Sequence, residues 1–319
     1  MKEKKTVSII GQCYNEQEMI PVYYREICKV IDQIHDMDFE IIIVDDASTD
    51  QSLSILKSLA NEDSRIKCLS MSRNFGKAAC CIAGMQYAAG DYVVTMDIDL
   101  QDPPKLLPDM INIIQRENVD IIATLATTRT GYSAFHKLCT KCFYSIFNSI
   151  SSVKIKDGQR DYRLMTRQVV DAILLHKEYN LFDKGYFTDV GFRTKWITFE
   201  NVERPAGDTK WPFKRLLKFS IIGIIGYSIT PLKMIFGLGV IELIGAFALA
   251  IAAAVNNCLS GGSEFALWSA AAIVGLFGLQ MTALGIVAAY IAQIHTEVKL
   301  RPRFIVRETV NFNNKDREK

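Results

Sequence analysis

Between residues 220 and 294 the sequence has almost no charge: Lys233, Glu242 and Glu264 are the only acidic or basic side chains there. The other 244 residues carry 69 of the 72 Lys, Arg, Asp and Glu side chains in this 319-residue chain. That asymmetry excludes a uniformly soluble enzyme and a disordered protein. It divides the chain into a charged, globular N-terminal two-thirds and a membrane-embedded C-terminal third. A basic surplus is also missing. The net charge of +2 leaves no electrostatic footprint for nucleic acid, so no nucleic-acid partner is expected. A zinc-finger or disulfide framework is missing too. The eight cysteines include one C-x-x-C pair, Cys139 and Cys142, with no second pair at finger spacing. The thiols therefore read as scattered and reduced. Finally, Met1-Lys2-Glu3-Lys4-Lys5 leads straight into a strand-like run without the apolar stretch of a signal peptide. The N-terminal domain is expected in the cytosol.

What is present is an alternation of strand and helix patterns through residues 6–124. Strands are expected at Val7–Ile10, Phe39–Val44, Ile66–Met71, Tyr92–Met96 and Val119–Thr124. Helices are expected from about Gln17 to Ile34, from Ser48 or Asp50 as cap to Ala60, over Phe75–Ala89, and over Lys105–Gln115 behind Pro103-Pro104. Strands that are apolar throughout belong to a mostly parallel sheet covered on both faces. Such sheets bind ligands beyond the carboxyl ends of their strands. Three strand ends carry polar clusters: Tyr14-Asn15-Glu16, Asp45-Asp46 and Asp97-Ile98-Asp99.

Residues 125–219 read as a less regular annex, with helices at about Ala134–Ser149 and Gln168–His176 and a strand at Tyr162–Met165. In Pro212–Phe219, Lys214, Arg215 and Lys218 alternate with Leu216, Leu217 and Phe219, the pattern of a basic helix lying on a membrane surface. Ser220–Thr230 is too short to span, and Pro231 ends it, which suits an interfacial or re-entrant segment. Met234–Val255 and Phe265–Ile294 are each long enough to cross a bilayer, which takes about 20 residues. The loop Asn256–Glu264 lacks Lys and Arg, while basic residues crowd both flanks. The positive-inside rule therefore places both termini in the cytosol and the loop outside. Ala246, Ala250 and Ala254 form a small-residue stripe for helix packing, and Glu242 within the span needs protein or the interface beside it.

The strand-end chemistry is that of a metal and a diphosphate. Asp97 and Asp99, one residue apart on a turn, suit a divalent cation shared with phosphate oxygens, for which Mg²⁺ and Mn²⁺ are the apt ions. The bland alternative is a turn with helix-capping aspartates. Asp45 and Asp46 can accept hydrogen bonds from a ribose or base, or cap the next helix. Tyr14 can stack on a base while Glu16 accepts a hydrogen bond.

Together, Cys13-Tyr14-Asn15-Glu16, Val44-Asp45-Asp46-Ala47-Ser48-Thr49-Asp50, Arg73-Asn74-Phe75-Gly76-Lys77 and Met96-Asp97-Ile98-Asp99-Leu100-Gln101-Asp102-Pro103-Pro104 resemble the ordered motifs of family 2 glycosyltransferases of GT-A fold. Asp161-Tyr162-Arg163-Leu164-Met165 and the two apolar spans narrow the resemblance. They are similar to the polyprenyl-phosphate glycosyltransferases, meaning bactoprenol glucosyltransferases and relatives of dolichol-phosphate mannose synthase. The resemblance implies an α/β fold: a Rossmann-like GT-A domain with juxtamembrane helices and two C-terminal transmembrane helices. Its parts would be a nucleotide-sugar-binding section at 1–125, an acceptor and catalytic annex at 126–209, juxtamembrane helices at 210–232, the spans at 233–295 and a cytosolic tail at 296–319. It implies an inverting transfer of a hexose, from UDP-glucose or UDP-GlcNAc, to a polyprenyl phosphate on the cytosolic leaflet of a bacterial membrane, for cell-envelope glycan modification.

By the same resemblance, Cys13, Tyr14, Glu16, Asp45, Asp46, Lys77 and Asp97 fall at the nucleotide, and Asp97, Asp99 and Gln101 at the Mg²⁺ or Mn²⁺ site. Asp161 falls at the catalytic aspartate, and Arg129, Lys137 and Arg163 at the acceptor phosphate. A homo-oligomer, a tetramer in the family, is implied. The sequence departs from the family at Gly11-Gln12, usually Val-Pro, at Ile98 and Ala78, and at Arg160, usually Gly. Two other readings compete. A processive polysaccharide synthase would show a Gln-x-x-Arg-Trp motif and more spans, and neither is present. A non-catalytic membrane scaffold would be favoured by a broken Asp-x-Asp or a missing Asp161, and both are intact.

Overall fold

The computed structural model describes residues 4–127, 141, 144–179, 183–200, 223–260 and 264–312. Eight strands form one sheet: β1 (Lys5–Cys13), β2 (Met37–Asp45), β3 (Ile66–Met71), β4 (Tyr92–Thr95), β5 (Ile121–Ala126), β6 (Gln159–Thr166), β7 (Thr194–Phe199) and β8 (Val306–Val310). The helices are α1 (Met19–Ile31), α2 (Ser52–Glu62), α3 (Lys77–Tyr87), α4 (Leu107–Arg116), α5 (Arg167–Leu174), α6 (Asp183–Asp189), α7 (Thr230–Ser260) and α8 (Glu264–Val298). A 3-10 turn at Pro104–Leu106 precedes α4, and residues 144–150 are helical.

The strand order is β7-β5-β6-β4-β1-β2-β3-β8. β3, β2, β1 and β4 run parallel, and β6 enters antiparallel between β4 and β5. The chain proceeds outward from β1 to β3 and then returns to the other side of β1 for β4. The topological switch point therefore lies between β1 and β4, where an open α/β sheet has its crevice.

Apolar side chains on alternate strand positions feed two cores. Val7, Ile9, Ile41, Ile43, Val94, Tyr162 and Leu164 pack on one face beneath α1 and α4. Ile10, Ile42, Val44, Leu69, Val93 and Met165 pack on the other with α3 and α5. Burial on both faces is why these strands read as continuous apolar runs. Close approach has its own requirement: a Cβ on Gly84 of α3 would lie 2.3 Å from Ile10 Cγ2 of β1.

α7 and α8 are long and apolar enough to cross a membrane, with candidate spans at Thr230–Leu249 and Gly275–Val298. The helical residues 223–227 end before Pro231, which itself falls in the first turn of α7, where a missing N–H costs nothing. The expected loop Asn256–Glu264 is shorter, because α7 continues through Ser260 and α8 begins at Glu264. The helix expected at Pro212–Phe219 lies outside the described residues.

The segment beyond α8 does not trail away as a separate tail. β8 closes the β3 edge antiparallel, pairing Cys68 with Val310 and Ser70 with Glu308. Ser72 N–H donates to Ile305 O at 2.9 Å, and Asn311 Nδ2 donates to Ala60 O and Ile66 O. The chain thus leaves the sheet domain for the helical hairpin and returns to the same domain.

Candidate functional site

The loops after β1 and β2 are laced together. Asn15 N–H donates to Ser48 Oγ at 3.0 Å, Thr49 N–H to Asn15 Oδ1 at 2.8 Å, and Glu16 N–H to Ser52 Oγ at 2.9 Å. Asn15 and Ala47 hold φ of 53° and 57°, a left-handed conformation that these contacts maintain. Tyr14 remains exposed above this lacing, and Glu16 is partly exposed.

Asp45, Asp46 and Cys13, expected at the nucleotide, are interior groups. Asp45 is fully enclosed and accepts from Ser48 N–H, from Ser70 Oγ and from the Cys13 thiol. Burial pushes the Cys13 thiol well above its usual range, and the Asp45 charge adds to that. Asp46 accepts Phe75 N–H at 2.7 Å and Gly76 N–H at 2.9 Å. That pair fixes the turn into α3, where Gly76 takes φ 94°, and so sets the position of Lys77. These three residues are buried, while Tyr14 is exposed and Glu16 partly so.

Lys77 is the hub of the crevice. Its ammonium donates to Asp97 Oδ2 at 2.7 Å and to Asp161 Oδ2 at 2.6 Å. β6 brings Asp161 here. Thr95 pairs with Arg163 in the antiparallel register, so the same register carried two residues beyond the strand end sets Asp97 opposite Asp161. Thr95 Oγ1 donates to Asp161 O at 2.5 Å and pins the junction. Burial opposes the Lys77 charge, but Asp161 and Asp97 outweigh it and hold its pKa well above the usual lysine value. Burial raises the Asp97 pKa, with Asp161 and Asp99 adding to it against the pull of Lys77.

The turn after Asp97 is tightly braced. Gln101 N–H donates to Asp99 Oδ1 at 3.1 Å, and Leu100 takes φ 55°. Arg160 Nε donates to Asp102 Oδ1 at 2.8 Å, and its Nη2 reaches Gln101 Oε1 at 3.4 Å. Asp102 is fully buried, and burial pushes its pKa up to about 7 against the pull of Arg160.

Among the described residues no group of three or more His, Cys, Asp or Glu side chains converges as a self-sufficient metal site. Two carboxylates on one turn, one of them already holding an ammonium at 2.7 Å, nevertheless fit a hard divalent ion completed by phosphate oxygens. Asp97, Asp99 and Gln101 are thus brought together with Lys77 and Asp161. Arg163, expected at the acceptor phosphate, is an interior group at 1% exposure. Its guanidinium lies over the Phe187 ring at 4.3 Å and 5.8 Å from the Trp196 ring centre, so the side chain extends from β6 into the core that contains Phe187. Arg129 and Lys137 lie outside the described residues. The contacts of Arg160 with Asp102 and Gln101 are not legible in the sequence, although Arg160 stands out there as a departure from the family pattern.

The family profile described as "Glycosyl transferase family 2" matches residues 8–174. CsbB of Bacillus subtilis is 36% identical over 313 residues, covering 97% of this chain and 93% of the relative. A protein of Escherichia coli K12 named as a prophage bactoprenol glucosyl transferase homolog is 32% identical over 306 residues, covering 94% of this chain and 98% of the relative. Among solved structures, the mannosyltransferase PcManGT from Pyrobaculum calidifontis, in complex with GDP-Man and Mn²⁺, is 19% identical with a TM-score of 0.46. It covers 93% of this chain and 88% of the other.

Proposed function

The chain belongs to glycosyl transferase family 2, and from that premise we propose that it transfers a hexose from a nucleotide sugar to the phosphate of a polyprenyl phosphate, with inversion. It is a glycosyltransferase with a GT-A domain. The acceptor class rests on the relatives named as bactoprenol glucosyl transferases, which match nearly end to end. The observation that carries the site assignment is the convergence of Asp97 and Asp161 on one ammonium, at the switch point of the sheet.

In this reading Tyr14 and Glu16 face the nucleoside, and Asp45 and Asp46 hold the loops that position them. Asp97, Asp99 and Gln101 would hold Mg²⁺ or Mn²⁺, which supplies charge neutralisation of the departing diphosphate. Lys77 adds a fixed cation on the same side. An acceptor phosphate monoester has a second pKa of about 6, so it is mostly dianionic near neutral pH and already nucleophilic. Asp161 therefore acts chiefly by orienting groups, not by removing a proton. Its bond to Lys77 keeps that ammonium aimed between the carboxylates. Arg129 and Lys137 are proposed for the acceptor phosphate at headgroup level.

Because β8 returns to the sheet, a hairpin of α7 and α8 that crosses the bilayer leaves all eight described strands on one side. We assign that side to the cytosol, where nucleotide sugars are made. UDP-glucose and UDP-GlcNAc are the proposed donors, and a homo-oligomer the proposed assembly. The test is a panel of labelled nucleotide sugars with the full-length protein, undecaprenyl phosphate and Mg²⁺ or Mn²⁺. One donor should give a lipid-linked product. Hydrolysis of every donor without lipid product would contradict the assignment.

A further inference from the structure

Arg160 stands immediately before Asp161 and on the opposite face of β6. Asp161 faces Lys77 and α3, whereas Arg160 shares its face with Tyr162, which packs in the core beneath α1 and α4. From there the guanidinium reaches under the turn after β4 and takes two acceptors on successive residues, Gln101 Oε1 and Asp102 Oδ1. Those contacts complete a ring. Lys77 bridges Asp97 and Asp161, the backbone joins Asp161 to Arg160, Arg160 holds Gln101 and Asp102, and Gln101 N–H holds Asp99 Oδ1. Both ends of the Asp97–Asp102 turn are thereby tied to β6.

We infer that Arg160 is a positioning residue for the cation–diphosphate site, acting through Gln101 and Asp102 to hold the Asp99 carboxylate at a fixed place relative to Asp97 and Asp161. This rests on the proposed metal-dependent transfer. The physical case is geometric. A turn with a left-handed residue at Leu100 is costly to keep unless its surroundings over-determine it. Arginine, with its planar fork, can grip two neighbouring acceptors at once. Asp102 is fully buried, so the grip is shielded from water. A glycine at 160 would leave Asp102 without its cation and the turn without its tie to β6. The residue is a feature of this chain's own site. Its charge lies close enough to Asp97 and Asp99 to be felt by both, so mere removal of a cation would favour a bound metal ion, not disfavour it. The two roles therefore predict opposite signs.

The test measures Mn²⁺ binding to the full chain in detergent with saturating UDP, which supplies the phosphate oxygens, by the electron paramagnetic resonance signal compared with that of Mn²⁺ and UDP alone, together with melting temperature. Arg160→Met should weaken Mn²⁺ binding by about tenfold or more, the scale for losing a group that orients a metal ligand. Arg160→Lys, which keeps the charge but not the fork, should fall between Arg160→Met and wild type. Should Arg160→Met fail to fold because Asp102 is stranded, the pair Arg160→Met with Asp102→Asn removes the clamp without leaving a buried charge, and the same weakening is expected. Equal or tighter Mn²⁺ binding in the folded variants, with wild-type binding intact, would overturn the positioning role alone. Absence of Mn²⁺ binding in wild type, with no difference from Asp97→Asn, would overturn the metal reading and this inference with it.

Discussion

The ammonium of Lys77 lies 2.6 Å from the Asp161 carboxylate, across 84 residues of sequence. The same nitrogen lies 2.7 Å from Asp97. A cation therefore sits beside the proposed site of the departing diphosphate. Removing it leaves two partly buried carboxylates facing each other, which like-charge repulsion makes costly. Lys77→Met should therefore lower turnover by about two orders of magnitude or more, the scale for losing a main electrostatic stabiliser.

Asp161→Asn should cripple turnover while leaving nucleotide affinity nearly unchanged, because Asp161 lies on β6, away from Tyr14 and Glu16. Calorimetric titration with the nucleoside diphosphate separates the two effects. A collapse of affinity together with rate would make Asp161 a donor-binding or structural residue.

Divalent cation should be required. EDTA should abolish transfer, and Asp99→Asn should lower it by about two to four orders of magnitude, because the turn would lose a charged oxygen toward the metal. Full activity in EDTA would remove the metal from the account.

Asp102 gives the stability of the protein a pH dependence of unusual sign. Its folded pKa is about 7, above the unfolded value of about 3.9. The native state therefore binds the proton more tightly. Ionising Asp102 costs stability, a cost absent below about pH 4 and fully present above about pH 7. Asp102→Asn carries no such dependence. Its melting temperature should gain on wild type as pH rises from about 5 to about 8, and a constant difference across that range would contradict the burial of an ionisable Asp102.

The membrane orientation has a chemical test at Cys258, which falls in the last turns of α7. In intact cells a membrane-impermeant maleimide should label wild type and lose that labelling in Cys258→Ser. Labelling that persists in Cys258→Ser, at the partly exposed Cys28 for instance, would place the catalytic domain outside.

The five central strands and their helices are legible from apolar runs because both sheet faces are covered, and β3 is found over the residues expected, Ile66–Met71. The meeting of the strand-end carboxylates follows from the parallel βα order alone. What periodicity does not give is strand order. β6 reads as a strand, yet only its insertion antiparallel to β4 puts Asp161 against Lys77 and Arg160 under the turn. β8 reads as part of a tail because Val306-Arg307-Glu308-Thr309-Val310 is short and carries two charges in five residues, which is how a protected edge strand looks. Its partner, β3, lies more than two hundred residues earlier, so the pairing is a tertiary fact. The surroundings of Arg163 are hidden for a related reason: a motif does not show the Phe187 and Trp196 rings that lie beside its guanidinium.

The most direct measurement is the structure of the product. Full-length protein, undecaprenyl phosphate and an α-linked nucleotide hexose should yield a lipid phosphodiester, identified by ³¹P and ¹H NMR as the β-anomer, and Asp161→Asn should yield none. A retained α-anomer, or free sugar with unmodified lipid phosphate, would contradict direct displacement by the acceptor phosphate.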